Sequence, residues 1–223
     1  MLKGIIFDSD GVLVDSMPYH AQAWVQVFKE EGIDVRKEEI YEVEGANHVG
    51  VINTIFRKTD KKPGKDNYDS LLTKKREHFM KNSKAEPFDG MLECLQSLKG
   101  SYKLAVASGA DKTIVNDLMD RFYPGIFDVR ITGEDVENGK PDPEPYVKAA
   151  GRLGIDAVEC MVVENAPLGV QSAKKAGMYC VAVATYIPTE KVAGADRVFK
   201  DHPSLIAYLK GLAVSEDPGQ RTN

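Results

Sequence analysis

At 223 residues, with 43% apolar and 28% charged side chains, the chain suits one large globular domain or a core with a smaller second unit. A net charge of −5 argues against a nucleic-acid-binding surface, so an anionic ligand would be drawn by local cations and not by the overall field. No apolar run reaches membrane-spanning length, and with Lys3 leading straight into an apolar segment no leader is expected. Cys94, Cys160 and Cys180 form no CxxC pair, which fits a reducing, cytoplasmic setting better than a disulfide or zinc framework.

Gly4–Phe7 is a short β-branched run that predicts a buried strand, and it ends in Asp8-Ser9-Asp10-Gly11. Carboxylates at the carboxyl end of a strand sit where open α/β sheets bind ligands, although Asp and Gly are also ordinary turn residues. From 18 to 31, Ala21, Trp24, Val25 and Phe28 follow helical spacing, with Pro18 near the start and Gly32 at the stop. Helical patterns recur over 38–43, 49–58 and 68–80, broken by the polar turn DKKPGKD. No strand is predicted between Ser16 and Lys84, and the re-entry KAEPFDG carries the Pro and Gly of a boundary.

Strands then alternate with helices. The strands are expected over 103–108, 129–131, 160–164 and 179–185, and the helices over 92–98, 113–122, 146–153 and 167–176. This pattern predicts an α/β fold with a doubly wound parallel sheet, residues 1–15 and 85–223. An all-helical unit, residues 16–84, is inserted after the first strand. The tail after Val214 is polar and expected to fray.

Three later strand ends carry polar groups. Ser108-Gly109 offers a hydroxyl and an unhindered backbone N–H suited to phosphate, though such a pair is commonly a helix cap. Lys140 lies in a loop stiffened by Pro141, Pro143 and Pro145, although a lone Lys is usually solvated surface. Glu164-Asn165 closes the strand CMVVE at a position suited to metal ligation.

FDSDGVLVDS, followed in order by Ser108, Lys140 and Glu164-Asn165, resembles the four motifs of the haloacid dehalogenase (HAD) superfamily in its phosphotransferase form. The helical insertion resembles the cap domain of its β-phosphoglucomutase-like branch. The resemblance implies that Asp8 is a nucleophile, Asp10 a general acid/base and Lys140 a catalytic cation, with Ser108 and Gly109 holding phosphate. It also implies Mg²⁺ bound by Asp8, Asp10, Glu164 and Asn165, and a small anionic phosphate substrate. A cytoplasmic monomer with no nucleic-acid or membrane partner is expected.

Two departures refine this. The last motif usually ends Glu-Asp, so Asn165 costs the metal site one charge, and Glu44 in YEVEGANHVG is a candidate replacement. The same loop, with Ala46, Asn47 and His48, lacks the permanent cation that sugar-phosphate mutases carry for a distal phosphate. The combination of SMPYH…AW, Glu44 before Gly45, and ENAPLG resembles branch members that hydrolyse inorganic pyrophosphate, the lead substrate, with a small phosphate monoester next. His20, just after the first motif, matches a mutase position that couples cap closure to the catalytic Asp and keeps a hexose-phosphate mutase as the alternative. A non-catalytic phosphate-binding protein is a third reading, against which the intact nucleophile speaks. Asp15 is expected to cap the first inserted helix or to tether the hinge.

Overall fold

The computed structural model describes residues 1–59, 63–64 and 67–215, with the backbone alone for Val214 and Ser215. Most of the turn expected at 60–66 and the polar tail beyond 215 lie outside those residues. Six parallel strands, β1 (Gly4–Phe7), β2 (Lys103–Ala107), β3 (Val129–Ile131), β4 (Cys160–Glu164), β5 (Tyr179–Val183) and β6 (Arg197–Phe199), form one sheet in the order 3-2-1-4-5-6. β1 is central, paired with β2 on one side and β4 on the other, so Phe7 lies level with Val106 and Val163.

Alternation along the strands builds a core on each face. Ile5 and Phe7 join Leu104, Val106, Met161 and Val163 beneath α5 (Met91–Leu98), α6 (Lys112–Phe122) and α9 (His202–Ser215). Ile6 joins Ala105, Ala107 and Val162 on the opposite face, under α7 (Glu144–Leu153) and α8 (Pro167–Lys175). Cys94, Cys160 and Cys180 are buried free thiols in these two layers.

The remaining helices, α1 (Met17–Glu30), α2 (Lys37–Tyr41), α3 (His48–Phe56) and α4 (Asn67–Asn82), close around a third cluster that includes Trp24, Phe28, Ile52, Ile55 and Leu71. The chain leaves the sheet and returns to it at neighbouring points. Val14 bridges Pro87, and the Asp15 N–H donates to the Glu86 carbonyl at 2.9 Å. Asp15 therefore ties the two crossings together and does not cap α1. The N-cap position falls to Ser16, which makes no side-chain cap bond.

β6 and α9 lie outside the elements expected from the sequence. Three residues are too few to show a strand period. Leu205, Ile206 and Leu209 of α9 do carry a helical spacing, with Pro203 in its first turn.

Candidate active site

The sheet order turns at β1: the chain steps outward from β1 to β2 and β3, then returns to the other side of β1 as β4. Such a switch point opens a crevice at the carboxyl ends of the strands. There β1 delivers Asp8 and Asp10, β2 delivers Ser108, β4 delivers Glu164 and Asn165, and the loop between β3 and α7 delivers Lys140. All six side chains are buried.

Lys140 Nζ lies 2.5 Å from Asp8 Oδ1 and 2.7 Å from Glu164 Oε1, 4.9 Å over the Tyr146 ring. Burial works against the charged ammonium, but the two carboxylates outweigh it and hold the Lys140 pKa above its ordinary value. Glu164 is fully occupied. Oε1 also accepts the Tyr146 hydroxyl at 2.7 Å, and Oε2 accepts the backbone N–H groups of Asn165 and Ala166 at 2.7 and 2.9 Å. Expected as a metal ligand, Glu164 in this arrangement also positions Lys140. Tyr146, which completes that anchor, had no sequence signal beyond its place among the apolar residues of α7.

Asp10 is held differently. Its Oδ1 accepts Ser16 Oγ at 2.5 Å and faces His20 Nε2 at 2.9 Å, while Oδ2 accepts Ser108 Oγ at 3.1 Å. Ser108 thus serves the second aspartate here. His20 Nδ1 lies 2.6 Å from Lys75 Nζ of α4. A donor on one ring nitrogen and a carboxylate on the other call for a neutral ring protonated at Nε2. Burial and the Lys75 charge keep the His20 pKa below its usual value, consistent with that form. Burial pushes the Asp10 pKa up, but His20, Ser16 and Lys75 outweigh it and hold the carboxyl below the usual range.

Lys75 was missed. It sits in the run TKKREH, which reads as a solvated face, yet it is 3% exposed and lines the cavity beside Asp8, His48 and Trp24. The expected lack of a permanent cation is correct for the loop 44–48 but not for the cavity.

Glu44 comes from the helical unit to Asn165, whose Nδ2 donates to Glu44 Oε1 at 2.7 Å. Gly11 makes room for this contact, since a Cβ there would fall 2.2 Å from Asn165 Nδ2 and its φ of +88° suits glycine. Glu44 Oε2 and Asn165 Oδ1 are buried without a partner, which a bound cation would remedy. The charge balance agrees. Burial pushes the Asp8 pKa up, Lys140 pulls it back, and the Glu164 and Asp10 charges push again, leaving it at about 8. Burial likewise raises Glu44 well above its ordinary value. Buried carboxylates here outnumber the ammonium groups, and hard oxygen donors of this kind suit Mg²⁺. No tight cluster of three or more His, Cys, Asp or Glu is preformed among the described residues, so the fit rests on Asp8, Glu44 and Asn165 together with backbone oxygen.

A family model for haloacid dehalogenase-like hydrolases matches residues 5–183, from β1 through β5. The chain belongs to this family. Among its haloacid dehalogenase-like relatives, the fructose-1-phosphate phosphatase of Escherichia coli is 28% identical over 81% of this chain and 95% of its own length. The β-phosphoglucomutase of Bacillus subtilis is 26% identical over 93% of each. A candidate β-phosphoglucomutase from Bacteroides vulgatus, 34% identical, superposes with a TM-score of 0.86 over 96% of this chain and 91% of that one. No helix among the described residues is long and apolar enough to cross a membrane.

Proposed function

We propose that this haloacid dehalogenase-like hydrolase is a Mg²⁺-dependent phosphohydrolase acting on inorganic pyrophosphate or a small phosphate monoester, with residues 16–84 as a cap over the site. The observation that carries the reading is the unequal treatment of two adjacent carboxylates. Asp8 is paired with Lys140, whereas Asp10 is enclosed by hydroxyls and a neutral imidazole.

In the first step an Asp8 carboxylate oxygen attacks phosphorus while the bond to the leaving oxygen breaks, and that oxygen takes a proton from Asp10. In the second, water attacks the aspartyl-phosphate, gives its proton to Asp10 and releases Asp8 and phosphate. Asp10 rests as a carboxylate, the form needed for the second step. The proton that Asp10 needs for the first comes through His20, whose Nε2–H, 2.9 Å from Asp10, passes to it as Nδ1 takes a proton from the Lys75 ammonium 2.6 Å away, and the second step returns it by the same route. Lys140 offsets negative charge on Asp8 and on the transferring group. A divalent cation held by Asp8, the Asp10 backbone carbonyl, Asn165 and Glu44 would supply further charge neutralisation.

Hexose-phosphate mutase is the second reading, favoured by Lys75 in the cavity and by the β-phosphoglucomutase relatives. A screen of pyrophosphate, small monoesters and hexose phosphates, with Mg²⁺ or with excess chelator, decides between them. Phosphate release that needs Mg²⁺ and is lost in Asp8→Asn is expected. Interconversion of hexose phosphates without release would establish the mutase, and release in excess chelator would refute the metal-assisted mechanism.

A further inference from the structure

Two glycines of the sheet domain lie directly against the backbone of the loop 44–48. A Cβ on Gly109, just after β2, would fall 2.5 Å from the Gly45 carbonyl oxygen and 2.7 Å from that of Ala46. A Cβ on Gly139 would fall 2.9 Å from Asn47 Cγ and 3.0 Å from its backbone nitrogen. Neither glycine has a positive φ, so the local backbone does not require glycine at either place. What requires it is the approach of the second unit. Both contacts sit beside chemistry, Gly109 next to Ser108 and Gly139 next to Lys140.

The same edge is held by charge. Arg76 of α4 donates through Nε, at 2.9 Å, and through Nη2 to Asp111 Oδ2. Asp111 is two residues beyond Gly109, and its other oxygen caps α6 through the Thr113 and Ile114 N–H groups. Its side chain is therefore fixed before Arg76 arrives. The space left between the units is a cavity of about 60 Å³. That is room for several waters or a compact phosphate group.

We propose that Gly109 and Gly139 are specificity-determining residues. By lacking a side chain, they let the loop 44–48 seat backbone against backbone and so restrict the closed site to compact phosphate substrates. The inference rests on turnover occurring at Asp8 beneath the helical unit. A methyl at Gly109 would hold the loop off by at least about half an ångström. Misplacements of that order between catalytic groups and substrate cost up to about 100-fold in rate.

The test uses the Mg²⁺-loaded enzyme with Gly109→Ala and Gly139→Ala, plus Arg76→Ala, which removes atoms and cannot clash. kcat/KM is measured for pyrophosphate and for the bulkier p-nitrophenyl phosphate, and small-angle scattering follows the separation of the two units. The expected result is a loss approaching 100-fold on pyrophosphate in Gly109→Ala and a clear loss in the other two, a few-fold change at most on p-nitrophenyl phosphate in Gly139→Ala and Arg76→Ala, and an expanded scattering profile. Equal losses on both substrates in Gly139→Ala and Arg76→Ala, or no loss on either, would overturn the proposal. If the wild-type protein hydrolyses neither, the phosphohydrolase reading fails by itself. Scattering then decides the seam: expansion in the alanine variants supports it, and an unchanged profile overturns it.

Discussion

Lys140 satisfies two carboxylates at once, and Ser172 and Lys175 of α8 hold its loop through the Asp142 and Pro141 carbonyls. Truncating it should leave substrate access intact while removing charge from the transition state. Lys140→Ala is therefore expected to lower kcat by about 100-fold or more with little change in KM, measured by steady-state phosphate release. Movement confined to KM would make Lys140 a binding residue. Glu44 supports a narrower expectation. Its Oε2 and Asn165 Oδ1 are both buried without a partner, oxygens that a bound cation would satisfy. Glu44→Ala should depress pyrophosphate hydrolysis strongly and raise the Mg²⁺ concentration needed for half-maximal rate, with a smaller effect on p-nitrophenyl phosphate. Equal, small effects would remove Glu44 from substrate selection.

Among the elements, the third cluster is small enough for single truncations to show. Ile52 of α3 is fully buried within that cluster, so Ile52→Ala should destabilise the protein by roughly 2–5 kcal/mol in chemical denaturation. An unchanged midpoint would mean that the site collapses around the missing methyls. Elements were also what the sequence showed best. β1, β2, β4 and β5 are unbroken apolar runs because both faces of the sheet are covered, and the amphipathic helices announce their buried stripes. Residues acting across elements were harder to see. Lys75 and Arg76 look like surface charge because the partners that hold them, His20 and Asp111, lie 55 and 35 positions away. Glu164 was legible as a site residue, but not as the anchor of Lys140, since nothing in the string CMVVEN places Tyr146 against it.

For the molecule as a whole, Lys75 links stability to pH. Burial lowers its pKa to about 8 from an ordinary 10.5, against the opposing pull of Asp10 and Asp111. A folded state that holds the proton less tightly than the unfolded one is penalised below pH 8, and the penalty fades as pH rises from 8 to 10.5. Lys75→Met removes that dependence. The stability of the variant relative to wild type should therefore fall by on the order of 2–3 kcal/mol between pH 7 and pH 10, measured by urea unfolding. A pH-independent difference would place the Lys75 pKa near its solution value. The paired crossings at Val14–Pro87 and Asp15–Glu86 have a different consequence. Because departure and return are one hydrogen bond apart, the sheet meets the inserted helices as it would meet a short turn. Closing the sheet domain without them would cost little chain entropy. Descendants of such a protein could lengthen, shrink or exchange the insert while Asp8, Asp10 and Lys140 keep their places, so that diet and chemistry evolve on separate parts of one gene.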